Sequence, residues 1–181
     1  MRQHLLVSAC ISLFSLSALG FETNAKYAYL IDADTGYVMY DKASDVAMAP
    51  ASMSKLMTAY MVFDALKSGK ITLEDELTVS ENAWRKGGVK SGSSTMFLEP
   101  GQKVKIKDLL RGIIVQSGND ACIVVAEGLA GSEEVFASLM TQKAKELGLK
   151  NSTFANATGL PHPSPLIFEI LFHVLSWFLI H

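Results

Sequence analysis

One continuous apolar segment constrains the fold of this chain more than any other feature. It begins after Pro50, runs to Ser68 and stops at Gly69. Its apolar residues occupy nearly every face of a helix, which is typical of a helix buried in the middle of a domain rather than one lying on the surface. The sequence therefore predicts a central buried helix whose first turn is anchored in the core.

Ser52 and Lys55 lie at the start of this segment. A spacing of three residues places both side chains on one helix face, so the hydroxyl and the amine can touch. A lysine buried among apolar side chains can lose its proton near neutral pH and then activate the serine as a nucleophile. A Ser-x-x-Lys pair is expected about once by chance in a chain of this composition, so an N-cap serine followed by a solvated lysine stays open as the alternative.

Length and charge narrow the function classes. A chain of 181 residues with 49% hydrophobic residues is long enough for one domain with an ample core. The formal net charge of −2 gives no electrostatic footprint for nucleic acid. We therefore expect no nucleic-acid partner.

Residues 1–20 have the pattern of a signal peptide. Arg2 and His4 precede an apolar run, and Ala18-Leu19-Gly20 fits a small-x-small cleavage site. The sequence predicts export, with cleavage near Gly20 and cleavage after Ala25 as the alternative. Cys122 would then be the only cysteine, which excludes an intrachain disulfide and favours a buried, small apolar role.

The remaining segments predict a mixed α and β domain. Residues 27–31 and 37–40 predict a β-hairpin, because turn-forming residues 32–36 separate two stretches of aromatic and β-branched residues. Further strands are predicted at 74–80 and 103–107, a long Gly- and Ser-rich loop at 84–101, helices at 108–115, 120–129 and 132–147, and a polar connector at 149–159.

Ser117-Gly118-Asn119 interrupts two predicted apolar helices. A kink between buried helices holds the backbone firmly while both polar side chains can point into a cleft. A helix-breaking turn made of turn-forming residues explains the same composition. Spacing alone leaves both interpretations open.

Four long stretches together resemble the serine D-alanyl-D-alanine carboxypeptidases, the low-molecular-weight penicillin-binding proteins of peptidase family S11. The resemblance covers residues 27–161, which are similar to the N-terminal part of the proteins in that family. The matching stretches are Ala28 to Gly36, Pro50-Ala51-Ser52-Met53-Ser54-Lys55-Leu56-Met57-Thr58, Gly92-Ser93-Ser94-Thr95-Met96-Phe97-Leu98 and Gly112 to Ala121.

The resemblance implies a role for each candidate site residue. Ser52 would be the acyl-ester nucleophile, Lys55 its proton acceptor and Ser117 a proton relay. Asn119 would bind a substrate amide. The backbone N–H of Ser52 would be one oxyanion donor. No cofactor and no metal are implied.

The resemblance also implies the fold, the partners and the location. The expected fold is α/β of the α+β type, like the serine β-lactamases and penicillin-binding transpeptidases: an antiparallel sheet with packed helices plus an all-helical half that carries Ser117. The expected activity is removal of the terminal D-alanine from peptidoglycan stem peptides. The expected partners are stem peptides ending in D-Ala-D-Ala and β-lactam antibiotics. The protein would be exported, to the periplasm or the outer face of the bacterial cytoplasmic membrane.

The family's third motif, Lys-Thr-Gly on a strand well after Ser-x-Asn, is absent from this sequence. Lys90-Ser91-Gly92 matches a variant of it by letters but precedes Ser117, so we interpret it as a chance match. Ala157-Thr158-Gly159 lacks the lysine. Because that motif would bind the substrate carboxylate and supply an oxyanion donor, we expect the sheet half to be truncated and the chain to be weak or inactive.

The stretch from Leu166 to Ile180 also departs from the family. It is apolar on every face but short for a membrane span, and Glu169 and His173 interrupt it. We interpret residues 163–181 as an aberrant end, with a genuine short tail that contacts a membrane as the alternative. The predicted organisation is a signal peptide at 1–20, a partial catalytic domain at 21–162 and this tail.

Two rival functions stay open. A serine β-lactamase shares the Ser-x-x-Lys and Ser-x-Asn pattern but needs a deacylating glutamate, which the sequence does not place. A non-catalytic envelope fragment is the other alternative.

Overall fold

The computed structural model describes residues 21–161. The predicted signal peptide and the predicted apolar tail lie outside these residues. Residues 21–161 form four strands: β1 (Ala28–Ile31), β2 (Val38–Lys42), β3 (Glu76–Thr78) and β4 (Lys103–Lys105). Five α-helices are formed: α1 (Lys55–Lys67), α2 (Glu81–Gly87), α3 (Ile106–Gln116), α4 (Asn119–Ala130) and α5 (Glu133–Glu146).

The predicted hairpin is confirmed. β1 and β2 pair antiparallel, with Ala28 opposite Lys42. The Asp32 carboxylate fixes the turn, because its Oδ1 accepts hydrogen bonds from the backbone N–H of Thr35 at 2.8 Å and from its hydroxyl at 2.6 Å. Gly36 closes the turn at a φ of +70°. The hairpin exposes apolar side chains, of which Tyr37 is 71% exposed.

The second sheet pairs β3 with β4, also antiparallel, with Leu77 opposite Val104. Its strands lie within the two segments predicted as strands. The predicted loop at 84–101 is partly wrong, since α2 extends to Gly87. Ser80 caps α2 by accepting a hydrogen bond from the backbone N–H of Ala83 at 2.9 Å, and α2 then packs against α4. The glycine content predicted a loop, but the Ser80 cap and packing against α4 stabilise a helix here.

α4 is the central helix of the described residues. It contacts β3 and all four other helices, and every residue from Asn119 to Ala126 is buried. The prediction that residues 52–68 form the central buried helix is therefore only partly correct. α1 buries Met57 and Val62 completely, whereas Leu56 is 41% exposed. Cys122 is fully buried, as predicted.

α5 and the segment after it close the domain on the side of α1. Ser132, where the predicted helix at 132–147 begins, caps α5 by accepting a hydrogen bond from the backbone N–H of Val135 at 3.2 Å. Residues 149–161 contain no helix or strand, yet most of residues 152–159 are buried. Of the helices in the described part of the chain, none has both the length and the apolar character that a membrane crossing demands.

Candidate active site

Ser52 lies in a 3₁₀ turn, Ala51–Ser54, directly before α1 rather than inside it. Side chains three residues apart eclipse each other in a 3₁₀ turn, so Lys55, the first residue of α1, follows on the same face. The Lys55 Nζ lies 3.4 Å from the Ser52 Oγ. Ser52 is exposed and Lys55 is buried, and the contact between the Lys55 Nζ and the Ser52 Oγ is partly buried.

Lys55 also contacts Ser117, 62 residues later in the chain. Its Nζ donates to the Ser117 carbonyl at 2.8 Å and lies 2.9 Å from the Ser117 Oγ. The amine therefore bridges two serine hydroxyls. The sequence predicted each pair of residues separately, and the tertiary structure brings all three together.

Burial lowers the pKa of Lys55 below its ordinary value of 10.5, because an ammonium ion loses hydration in the protein interior. A Cys122 thiolate would act in the opposite direction. However, burial raises the pKa of Cys122 to about 12, so its thiol stays neutral at physiological pH. The neutral amine, which is the form that can accept a proton, is therefore easier to reach than in a free lysine.

The backbone at Ser117 is held in a sparsely populated conformation. α3 ends at Gln116, and Ser117 has a φ of +56°, in the left-handed region that side-chain-bearing residues adopt at a cost. The backbone N–H of Gly118 then bonds to the carbonyl of Gly112 at 2.9 Å. Such strain persists where the surroundings hold it, and it is concentrated at functional sites.

Asn119 begins α4 and is 2% exposed. Its Nδ2 donates to the Ser93 Oγ at 2.7 Å, and the Ser93 Oγ also lies 2.6 Å from the Ser91 Oγ. The Asn119 Oδ1 is buried and has no hydrogen-bond partner among the described residues. A buried acceptor without a partner is costly, so this oxygen is a candidate to receive a substrate N–H.

Asp120, next to Asn119 in the candidate site, was not identified from the sequence. Its carboxylate is fully buried and accepts hydrogen bonds from the Thr95 hydroxyl at 2.6 Å and from the backbone N–H groups of Met96, Leu98 and Ala121 at 2.8, 3.1 and 2.9 Å. It thereby fastens residues 95–98 to the turn that carries Ser117. The available signal was an acidic residue in the first turn of an otherwise apolar helix.

Lys90-Ser91-Gly92 does not lie on a strand. Val89–Ser91 form a 3₁₀ turn, and the Lys90 Nζ lies 4.5 Å from the centre of the Trp84 ring. This geometry agrees with the interpretation of the triplet as a chance match to the third motif.

Comparison with known proteins identifies the family. A sequence model of the D-alanyl-D-alanine carboxypeptidases matches residues 14–167. The chain is 50% identical over 136 residues to the D-alanyl-D-alanine carboxypeptidase DacF of Bacillus subtilis, covering 75% of this chain and 34% of that protein. It is 44% identical over 164 residues to DacC of Escherichia coli, covering 86% of this chain and 41% of that protein.

Solved structures agree and confirm the predicted fold class. The D-alanyl-D-alanine carboxypeptidase DacD of Francisella tularensis superposes with a TM-score of 0.81 at 31% identity, over 100% of this chain and 41% of the other. Penicillin binding protein 6B of Escherichia coli gives 0.76 at 37% identity, over 91% and 53%. The match thus spans between 34 and 41% of the length of the two curated relatives named above. The chain belongs to the D-alanyl-D-alanine carboxypeptidase family.

Proposed function

We propose that residues 21–162 form part of the catalytic domain of a serine-type D-Ala-D-Ala carboxypeptidase that trims peptidoglycan stem peptides through an acyl-enzyme. The observation that carries the proposal is the position of the Lys55 Nζ, 3.4 Å from the Ser52 Oγ and 2.9 Å from the Ser117 Oγ. One amine between two hydroxyls can take a proton from the first and pass it through the second.

In the acylation step, the neutral Lys55 amine takes the proton of the Ser52 hydroxyl. The Ser52 Oγ then attacks the carbonyl carbon of the penultimate D-alanine, and a C–O bond forms as the carbonyl becomes an oxyanion. The backbone N–H of Ser52, at the start of α1, is the proposed oxyanion donor, because a helix N-terminus stabilises developing negative charge.

The leaving group departs in the second half of that step. The proton on Lys55 passes through the Ser117 hydroxyl to the nitrogen of the terminal D-alanine, the C–N bond breaks, and D-alanine leaves. Water then hydrolyses the ester, with Lys55 taking the water's proton and returning it to the Ser52 Oγ. The buried Asn119 carboxamide holds a substrate amide through its free Oδ1.

The β-lactam ring would react with Ser52 by the same attack, since it presents a strained amide to the nucleophile. One relative, Penicillin-Binding Protein D2 of Listeria monocytogenes, was solved in an ampicillin-bound form, at 26% identity and a TM-score of 0.66. The β-lactamase alternative gains no support, because the named relatives are carboxypeptidases.

Labelling with a fluorescent penicillin tests the proposal. Ser52→Ala should abolish covalent labelling, and Ser138→Ala, which changes an exposed hydroxyl on α5, should preserve it. Ser93 is unsuited as this control because its hydroxyl accepts from Asn119. Labelling that persists in Ser52→Ala would contradict the assignment. Rapid hydrolysis of the penicillin would favour the β-lactamase alternative, and absence of labelling in the wild type would favour the non-catalytic one.

Export is part of the same proposal. Residues 1–20 would be removed as a signal peptide, and the protein would act in the bacterial envelope. Mass spectrometry of the secreted product should give an N-terminus at Phe21. A soluble cytoplasmic product that retains Met1 or Arg2 would contradict export.

A further inference from the structure

The turn that carries Ser52 is held by a distant part of the chain. Ala51 has a φ of +49°, an unfavourable conformation for alanine, and the Ala51–Ser54 turn has no side-chain cap. A strained conformation persists only when its surroundings fix it. Something outside the turn must therefore hold Ala51.

Residues 156–160, here named the clamp loop, make that contact. A Cβ placed on Gly159 would overlap the backbone carbonyl of Ala51 and would lie 2.9 Å from the Ser54 Oγ. Gly159 is buried and has a φ of +76°. Only a glycine satisfies both the conformation and the close approach.

Hydrogen bonds within the clamp loop brace it. The Asn156 Oδ1 accepts hydrogen bonds from the backbone N–H groups of Thr158 and Gly159 at 3.2 and 2.7 Å, and its Nδ2 donates to the carbonyl of Leu160 at 2.9 Å. One buried carboxamide thus fixes both sides of the loop. The loop can therefore hold the Ala51–Ser54 turn in place without changing its own conformation.

Two buried hydrogen bonds tie the clamp loop to the helices. The Thr58 hydroxyl, on α1, donates to the carbonyl of Ala157 at 2.7 Å. The backbone N–H of Ala157 donates to the Glu133 carboxylate, at the start of α5, at 3.2 Å. Thr58 and Ala157 are fully buried, and Glu133 is 8% exposed. The loop is therefore registered against the same helix that carries Lys55.

We propose that the clamp loop is a positioning element for the nucleophile, in which Gly159 sets the Ala51 carbonyl and so the direction of the Ser52 hydroxyl relative to Lys55. This inference rests on the proposed role of Ser52. None of its residues touches the substrate in this scheme. They act through the turn, and they should affect the rate of acylation more than the affinity for the ligand.

The test compares Gly159→Ala with Gly148→Ala in the full chain. Both positions have left-handed φ values, +76° and +87°, so alanine costs similar backbone strain at each. A Cβ at Gly148 meets nothing within 4 Å, so the control carries the strain without the contact. A misplacement of the reacting atoms by about 1 Å can cost about 10²-fold in rate.

Two measurements follow for each variant. With a fluorescent penicillin, Gly159→Ala should slow acylation by about tenfold or more relative to Gly148→Ala, with the non-covalent dissociation constant little changed. By hydrogen exchange, Gly159→Ala should raise exchange of the amides of residues 51–56, beyond any change within the clamp loop itself, whereas Gly148→Ala should leave residues 51–56 unchanged. Equal behaviour of the two variants in both measurements would overturn the proposal.

The exchange measurement does not depend on activity. If wild-type protein is not acylated, the proposed function fails, and exchange at residues 51–56 still decides whether the clamp exists. If Gly159→Ala does not fold, Thr58→Val replaces it, since valine keeps the shape of threonine but removes the donor to Ala157. Thr58→Ser should restore acylation and exchange protection. A valine variant that behaves like wild type would overturn the proposal.

Discussion

Lys55, the first residue of α1, and Ser117, in the turn between α3 and α4, are joined by two contacts from one amine: the Lys55 Nζ lies 2.8 Å from the Ser117 carbonyl and 2.9 Å from its hydroxyl. A carbonyl oxygen can only accept, so it takes one N–H. A neutral amine then keeps one N–H and one lone pair for the hydroxyls of Ser52 and Ser117. With one lone pair and one N–H remaining, the neutral Lys55 amine can accept a proton from one hydroxyl while it donates a hydrogen bond to the other.

The first prediction concerns pH. Because burial lowers the pKa of Lys55, the neutral amine should predominate at a lower pH than for a free lysine. The acylation rate by a fluorescent penicillin should rise with pH and level off below about pH 10.5, the ordinary lysine value. An acylation rate that falls as the pH rises toward about 10.5 would contradict Lys55 as the proton acceptor.

The same shift predicts a stability effect of defined sign. Between the lowered pKa of Lys55 and its unfolded value, the unfolded chain binds more protons than the folded chain. Stability should therefore rise with pH through this window, and the cost of the buried ammonium should be fully present below it. Lys55→Met should remove this slope from the free energy of unfolding measured at several pH values.

Replacing Ser117 should separate its hydroxyl from its backbone. Ser117→Ala and Ser117→Gly both remove the proposed relay and should slow acylation by about 10²- to 10⁴-fold. Since the φ of Ser117 is +56°, glycine relieves strain that alanine retains. In thermal unfolding, we expect the melting temperature of the glycine variant to be equal to or higher than that of the alanine variant. Acylation at the wild-type rate in both variants would exclude the relay.

Asp120→Asn should destabilise the protein. The buried carboxylate accepts hydrogen bonds from four donor groups. The asparagine side chain has the same shape, but an NH₂ donor takes the place of one acceptor oxygen. We expect a loss of about 3 kcal/mol, because hydrogen bonds to charged groups are strong and the stranded donors stay buried. Asp108→Asn, in the first turn of α3, is the matched control and should cost under about 1 kcal/mol. Equal losses in denaturant unfolding would contradict the role given to Asp120.

Two helical glycines should differ in their response to alanine. A Cβ on Gly87 would overlap the backbone N–H of Asp120, which cannot move without shifting α4. A Cβ on Gly128 would lie 2.6 Å from a methyl of Leu77, a side chain that can rotate away. We expect Gly87→Ala to cost at least about 2 kcal/mol. Gly128→Ala should be near neutral, because alanine gains about 1 kcal/mol of helix propensity. Equal costs in denaturant unfolding would contradict this ranking.

A fusion tests how much the family's third motif, which the 181 residues do not contain, adds to the reaction. We expect the 181-residue chain to release D-alanine slowly from a peptide ending in D-Ala-D-Ala. Joining Pro161 to the remaining sequence of a relative should raise the rate by about 10²- to 10³-fold, the worth of one oxyanion donor. Ser52→Ala in the fusion is the control. If the unfused chain works within about tenfold of the fusion, the second donor comes from residues already present.

Interactions between near neighbours in sequence were predictable here. The spacing of Ser52 and Lys55 and the hairpin turn at residues 32–36 each depend on a few consecutive residues, whose identities favour a turn or place side chains on one face. The resemblance added the order of the motifs and with it the family. Two predictions from the sequence failed. The end of α2 was predicted as part of a loop, and α1 rather than α4 was predicted as the central helix.

Packing alone decided the rest. The contact between Lys55 and Ser117, the donors gathered around Asp120 and the approach of Gly159 to Ala51 join segments separated by 22 to 108 residues. No local periodicity encodes such pairs. They exist because α4, in which every residue from Asn119 to Ala126 is buried, fixes where the neighbouring helices and loops can lie, and close packing then determines which polar groups meet.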